Sequence, residues 1–201
     1  MWLADLQGLL TNLGIARSFV VGRSRTSRVA LRFALRHPGR CLGLGLWGIS
    51  GGAAARRFLD AHYFGKYEDA CVRGGMAAVC RTGHFGQLIE QDPDNQARLM
   101  AVDPKVFLAA IARWRVQFHA GAASTVMGLP DAFLAQVATP TAIVMQYDRM
   151  HPADTARHAQ RAIRGSRLFD FDPGNHVDRD VRKDMPRVAG ILTGYFSGLP
   201  V

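Results

Sequence analysis

The 201-residue sequence is poor in cysteine, in lysine and in unbroken apolar stretches, and each shortage excludes a class of protein. Its cysteines, Cys41, Cys71 and Cys80, are odd in number and lack the paired two-residue spacing of a zinc site. They read as reduced, half-buried thiols, so neither a disulfide framework nor a metal is implied. No apolar run reaches the roughly eighteen residues a spanning helix needs. The longest candidate, Cys41 to Ala55, is broken by five glycines, which argues against a membrane protein. The start, Met1-Trp2-Leu3-Ala4-Asp5, has no basic lead-in and no small-residue cleavage site, so a cytoplasmic protein is expected.

What is present suits a globular domain with an insertion. Apolar residues make up 48% of the chain and charged residues 20%, and mean hydropathy is near zero. That balance excludes disorder and collagen-like structure. The formal charge is +9, from 25 basic against 16 acidic residues, and nearly all of the positive charge is arginine. Arg28, Arg32 and Arg36 recur at helical spacing and would form a stripe on one helix face. Only Phe33 interrupts the stripe, on its other side, so a solvated face is favoured over a groove that tracks phosphates, and nucleic acid is not the expected partner.

Leu3, Leu6, Leu9, Leu10 and Leu13 follow the three- and four-residue spacing of an amphipathic helix, with Gly14 placed to end it. Ser18-Phe19-Val20-Val21 is a short strand signal that closes at Gly22, and a helix from about Ser27 to Arg36 follows until His37-Pro38 stops it. Cys41 to Trp47 alternates leucine with glycine, the pattern of a buried strand in close contact with its neighbours. From Ala53 to Val137 the signals are helical, and Asp103-Pro104 opens a helix carrying Phe107, Leu108, Ile111, Trp114 and Phe118. Strand character returns at Thr141 to Met145 and at Leu168 to Phe171, and a closing helix carries Val188, Ile191, Leu192 and Tyr195. Strands alternating with helices predict a parallel α/β sheet flanked by helices. Three segments follow: a first core part at 1–52, a helical insertion at 53–137 and a second core part at 138–201.

Three residues point to chemistry. Ser24 lies in Gly22-Arg23-Ser24-Arg25-Thr26, at the junction of a strand and a helix, where a sharp turn lifts a side chain above the sheet. Alone, such a serine reads as a helix N-cap. Asp148 directly follows the strand that begins at Thr141, and His176 lies in the turn-rich Asp172-Pro173-Gly174-Asn175-His176-Val177 after the last strand. Serine, acid and histidine thus occur in that order, each at the C-terminal end of an expected strand.

On these residues, and on the phrases Leu13-Gly14-Ile15-Ala16-Arg17, Val20-Val21-Gly22-Arg23-Ser24 and Ala34-Leu35-Arg36-His37-Pro38, the chain resembles the α/β-hydrolase family. The resemblance implies that Ser24 is the nucleophile, His176 the general base, Asp148 the residue that orients His176, and the Arg25 backbone N–H one oxyanion donor. It also implies a helical cap at 53–137, a small-molecule substrate with an ester-like or other activated carbonyl, and no cofactor. Two departures stand out. Thr26 occupies the place of the motif's second glycine, and the strands and His-Gly loop with which the family begins have no counterpart before Met1, so the chain reads as N-terminally shortened. A non-catalytic remnant that serves as a binding or assembly module is the rival reading. The shortened fold would leave Ser18 to Val21 as an exposed edge, which predicts self-association through that strand.

Other residues invite less. His62, His84 and His119 lack metal-ligand spacing, and Phe107, Trp114 and Phe118 follow the spacing of a cap core. Arg23 and Arg25, flanking the serine, suit altered packing better than an anion site. His151 and Asp172 are the less favoured stand-ins for His176 and Asp148.

Overall fold

The computed structural model describes residues 2–122, 124–126, 128–170 and 181–200. Four strands, β1 (Ser18–Arg23), β2 (Cys41–Trp47), β3 (Thr141–Val144) and β4 (Arg167–Phe169), form one sheet in the order β1-β2-β3-β4, with every pair parallel. Strand β2 matches its expected bounds residue for residue. Parallel pairing forces each connection to cross a face of the sheet, and helices make those crossings. The two short ones are α2 (Arg25–Arg36) between β1 and β2, and α9 (Ala153–Ala162) between β3 and β4, while residues 48–140 connect β2 to β3.

Side chains alternate across the sheet and build two cores. Val20, Leu44, Leu46, Ile143 and Met145 face one way and pack with Leu31 and Phe33 of α2, with Ala156 and Ala159 of α9, and with Leu10 of α1 (Trp2–Asn12). Trp47, Ala142 and Val144 face the other way and pack with Val188 and Leu192 of α10 (Met185–Ser197). Leu44, Leu46 and Ile143 are fully buried, each contributing about 1.5–3 kcal/mol of transfer free energy. Gly45 sets the spacing on the α10 side, since a Cβ there would lie 3.1 Å from both Leu192 and Val21 and 3.2 Å from Phe196.

The chain divides into two compact units, residues 1–55 with 122–201, and residues 56–121. The second is narrower than the helical block expected at 53–137. Val126, Leu129, Leu134 of α8 (Asp131–Leu134) and Val137 are buried in the first core of the sheet unit. In the second unit, α4 (Lys66–Cys80), α5 (Gly83–Gln91), α6 (Asp94–Met100) and α7 (Pro104–Gly121) follow α3 (Gly52–Asp60). Ala70, Cys71, Met76 and Val79 form its core, joined by Phe85, Leu99, Phe107 and Leu108. Asp103 caps α7 as its sequence suggests, its Oδ1 accepting from the Lys105 N–H at 2.7 Å. Trp114 departs from the expected cap core, being 61% exposed on α7. Arg115 of α7 instead ties the unit together, reaching both carboxylate oxygens of Asp60 at 2.7 and 2.5 Å and Glu68 at 2.7 Å.

Among the described residues no helix is long and apolar enough to cross a membrane.

Candidate active site

Ser24 occupies the single residue between β1 and α2. Its φ of 54° and ψ of −122° place it in a region costly for any side chain, and it is the only described residue other than glycine with positive φ. Backbone bonds impose the turn. The Ser24 N–H donates to the Trp47 carbonyl at the end of β2, 3.0 Å, and the Ser27 N–H donates to the Ser24 carbonyl, 3.1 Å. Gly22 is required by the same turn, because a Cβ there would sit 2.6–2.8 Å from the backbone of Thr26 and Ser27. Thr26 fits where a second glycine was expected by folding its hydroxyl back onto the turn. It accepts from the Arg23 N–H at 2.9 Å and donates to the Arg23 carbonyl at 2.8 Å.

The second half of the site lies between β3 and α9. Asp148 sits past the end of β3, and its Oδ1 accepts from the N–H groups of Met150 and His151, each at 2.8 Å. This side-chain turn, followed by Pro152, starts α9 at Ala153 and turns the His151 ring back toward the carboxylate. The His151 Nδ1 lies 2.9 Å from both oxygens of Asp148, and its Nε2 lies 2.8 Å from the Ser24 hydroxyl. His151 is only 2% exposed and Asp148 21%. Burial works against the charge of Asp148, but the hydrogen bonds from His151 and Gln146 outweigh it and hold the carboxyl down at about 2. An ionised carboxylate requires the proton on Nδ1, and the Nε2 lone pair then faces the serine hydroxyl.

Two of the three expected site residues, Ser24 and Asp148, are therefore joined through one imidazole, and that imidazole is His151. His176, the expected base, and Asp172 lie outside the described residues. The sequence does contain a signal for His151: an acid and a histidine three residues apart before a proline share one turn. Gln146, whose amide nitrogen donates to Asp148 Oδ2, had no signal of its own. The arginines that flank Ser24 lie on aromatic rings, Arg23 4.8 Å from the centroid of Trp47 and Arg25 5.4 Å from that of Trp2. Arg25 is the first residue of α2, so its backbone N–H has no acceptor within the helix. Of the histidines in the second unit, His119 pairs with Asp60 at 2.9 Å while His62 and His84 contact aromatic rings. Among the described residues no group of three histidine, cysteine or acidic side chains is placed to hold a metal ion.

No protein-family model matches the sequence, and no curated protein matches it. Solved structures do match over nearly the whole chain. An α/β hydrolase from a deep-sea metagenome library of the Medee basin aligns with TM-score 0.58 at 17% identity, covering 99% of this chain and 72% of its own. The 2-hydroxy-6-oxo-6-phenylhexa-2,4-dienoate hydrolase of Rhodococcus sp. strain RHA1 aligns with TM-score 0.59 at 17% identity, covering 98% of this chain and 69% of its own. The enol-lactonase of Burkholderia xenovorans LB400 aligns with TM-score 0.53 at 19% identity, covering 95% and 71%. The chain thus has the α/β-hydrolase fold, as its elbow and its order of motifs led one to expect.

Proposed function

We propose that the protein is a serine hydrolase that cleaves an ester-like or otherwise activated carbonyl compound through an acyl-enzyme. The observation that carries this reading is the hydrogen-bonded chain from Ser24 through His151 to Asp148, mounted on a strained elbow. Ser24 Oγ attacks the carbonyl carbon as its proton passes to His151 Nε2, and the carbonyl electron pair moves onto oxygen. In this reading the Arg25 N–H at the helix start donates to that oxyanion. As the tetrahedral adduct collapses, the leaving group takes the proton from Nε2. Water then repeats the sequence, giving its proton to His151 and releasing the acid and free Ser24. Asp148 keeps the ring in the reactive tautomer and stabilises its cation without itself taking a proton.

The fold's neighbours include proteins named as an enol-lactonase and as a 2-hydroxy-6-oxo-6-phenylhexa-2,4-dienoate hydrolase, which supports hydrolysis of a small-molecule carbonyl compound. The chemistry calls for no cofactor.

The test is covalent labelling by a fluorophosphonate probe, read by intact mass. One adduct is expected on the wild-type chain and none on Ser24→Ala. His151→Ala should label about 100- to 10,000-fold more slowly, the span of a lost general base. Slow labelling in His176→Ala with a normal rate in His151→Ala would return the base to the position the motif order assigns. An adduct that persists in Ser24→Ala would end the proposal.

A further inference from the structure

Resting on that reading, we infer that Gln146 is a positioning residue whose amide nitrogen fixes the Asp148 carboxylate in the plane where both its oxygens meet the His151 ring. Among the described residues, Asp148 Oδ1 has two backbone donors, from Met150 and His151, whereas Oδ2 receives only the Gln146 amide besides the ring N–H. Without Gln146, Oδ2 keeps only the ring N–H that it shares with Oδ1, and the carboxylate plane loses its second anchor.

The orientation of the amide follows from chemistry. Turning it over would set the Gln146 carbonyl against an ionised carboxylate, so the NH2 end faces Asp148. The Gln146 nitrogen also lies 3.2 Å from His151 Nδ1. Both atoms carry hydrogen there, so this is two donors converging on one carboxylate rather than a bond between them. The other end of the same amide carries a cost, since Gln146 Oε1 is buried with no hydrogen-bond partner among the described residues. A side chain kept for packing alone would do better as methionine, which has nearly the same length and no carbonyl to bury. Gln146 therefore trades stability for the alignment of Asp148 and His151.

That trade separates a positioning role from a structural one. The experiment measures fluorophosphonate labelling over a range of probe concentrations, alongside thermal unfolding, for wild type, Gln146→Met, Gln146→Glu and Ser24→Ala. Gln146→Met should lower the maximal labelling rate about tenfold, a fraction of what the whole base contributes, leave the half-saturating probe concentration unchanged, and melt at or above the wild-type temperature. Gln146→Glu, equal in shape but with an acceptor facing Asp148, should lose more rate than Gln146→Met. A Gln146→Met rate within twofold of wild type overturns the inference, as does a fall in rate matched by a fall in melting temperature. Should Gln146→Met not fold, Gln146→Glu decides alone: a wild-type rate there overturns the inference. Labelling that survives in Ser24→Ala is a different failure, that of the hydrolase reading itself.

Discussion

The Ser24 hydroxyl and the His151 Nε2 lie 2.8 Å apart across 127 residues of sequence, and the parallel ladder of β1, β2 and β3 brings them together. Ser24 hangs from the end of β2 through the Trp47 carbonyl, and Asp148 and His151 continue from β3 beside it. The relationship makes the backbone at Ser24 as consequential as its side chain.

Ser24 is held at a φ that costs about 1–3 kcal/mol for a residue with a Cβ. Glycine adopts the same angles freely, so Ser24→Gly should melt at a higher temperature than Ser24→Ala while both lose labelling. Differential scanning calorimetry of the two variants checks this. Equal melting temperatures would mean that the elbow relaxes when the hydroxyl is removed.

Asp148 ionises at about 2 in the folded chain, against an ordinary value near 3.8. A lowered carboxyl contributes stability that is complete above its unfolded value and is lost as pH falls through its folded one. The wild type should therefore lose stability between about pH 4 and pH 2 more steeply than Asp148→Asn, as followed by thermal melts across that range. Parallel slopes would show that Asp148 is not held ionised by its partners.

In the second unit, Arg115 holds Asp60 in a two-pronged grip and lowers its carboxyl, chiefly by hydrogen bonding. Among the described residues, Arg115→Met leaves Asp60, only 14% exposed, with His119 as its remaining ion-pair partner, and it should destabilise this unit by about 1.5–3 kcal/mol. Trp114, the one tryptophan in residues 56–121, reports that transition in denaturant by fluorescence.

Strand β1 ends the described sheet, and Val21 on it is 53% exposed. Such an edge invites another strand, and self-association of the chain through β1 is the expected outcome. Light scattering should show a mass that rises with concentration in the micromolar range. Val21→Lys should lower that mass, and a stable monomer at every concentration would count against the expectation.

Much of this architecture was legible from residue pattern because the signals were local. The leucine and glycine alternation of Cys41 to Trp47 admits only a strand packed closely on both faces, and Gly22 before Ser24 marks a turn with no room for a side chain. Less was legible where a pattern says what a segment is but not which core it joins. Val126, Leu129, Leu134 and Val137 look like any apolar residues of a helical region, and only tertiary packing assigns them to the sheet unit. Trp114 has core spacing yet lies on the exposed side of α7, because spacing gives a face without giving its partner. The choice of histidine was open for the same reason. Motif order favours His176, while a turn stabilised by two backbone N–H groups on Asp148 aims His151, and hydrogen-bond geometry within a turn is not written in spacing.

Asp148 and His151 share one turn, and that simplifies assembly. An acid and a base on separate loops must each be docked, so errors from three junctions accumulate at the serine. Here the pair is preset within four consecutive residues, and the fold has only to bring one prefabricated piece against one elbow. Length changes elsewhere in the chain can shift that piece as a whole but leave its internal angles intact.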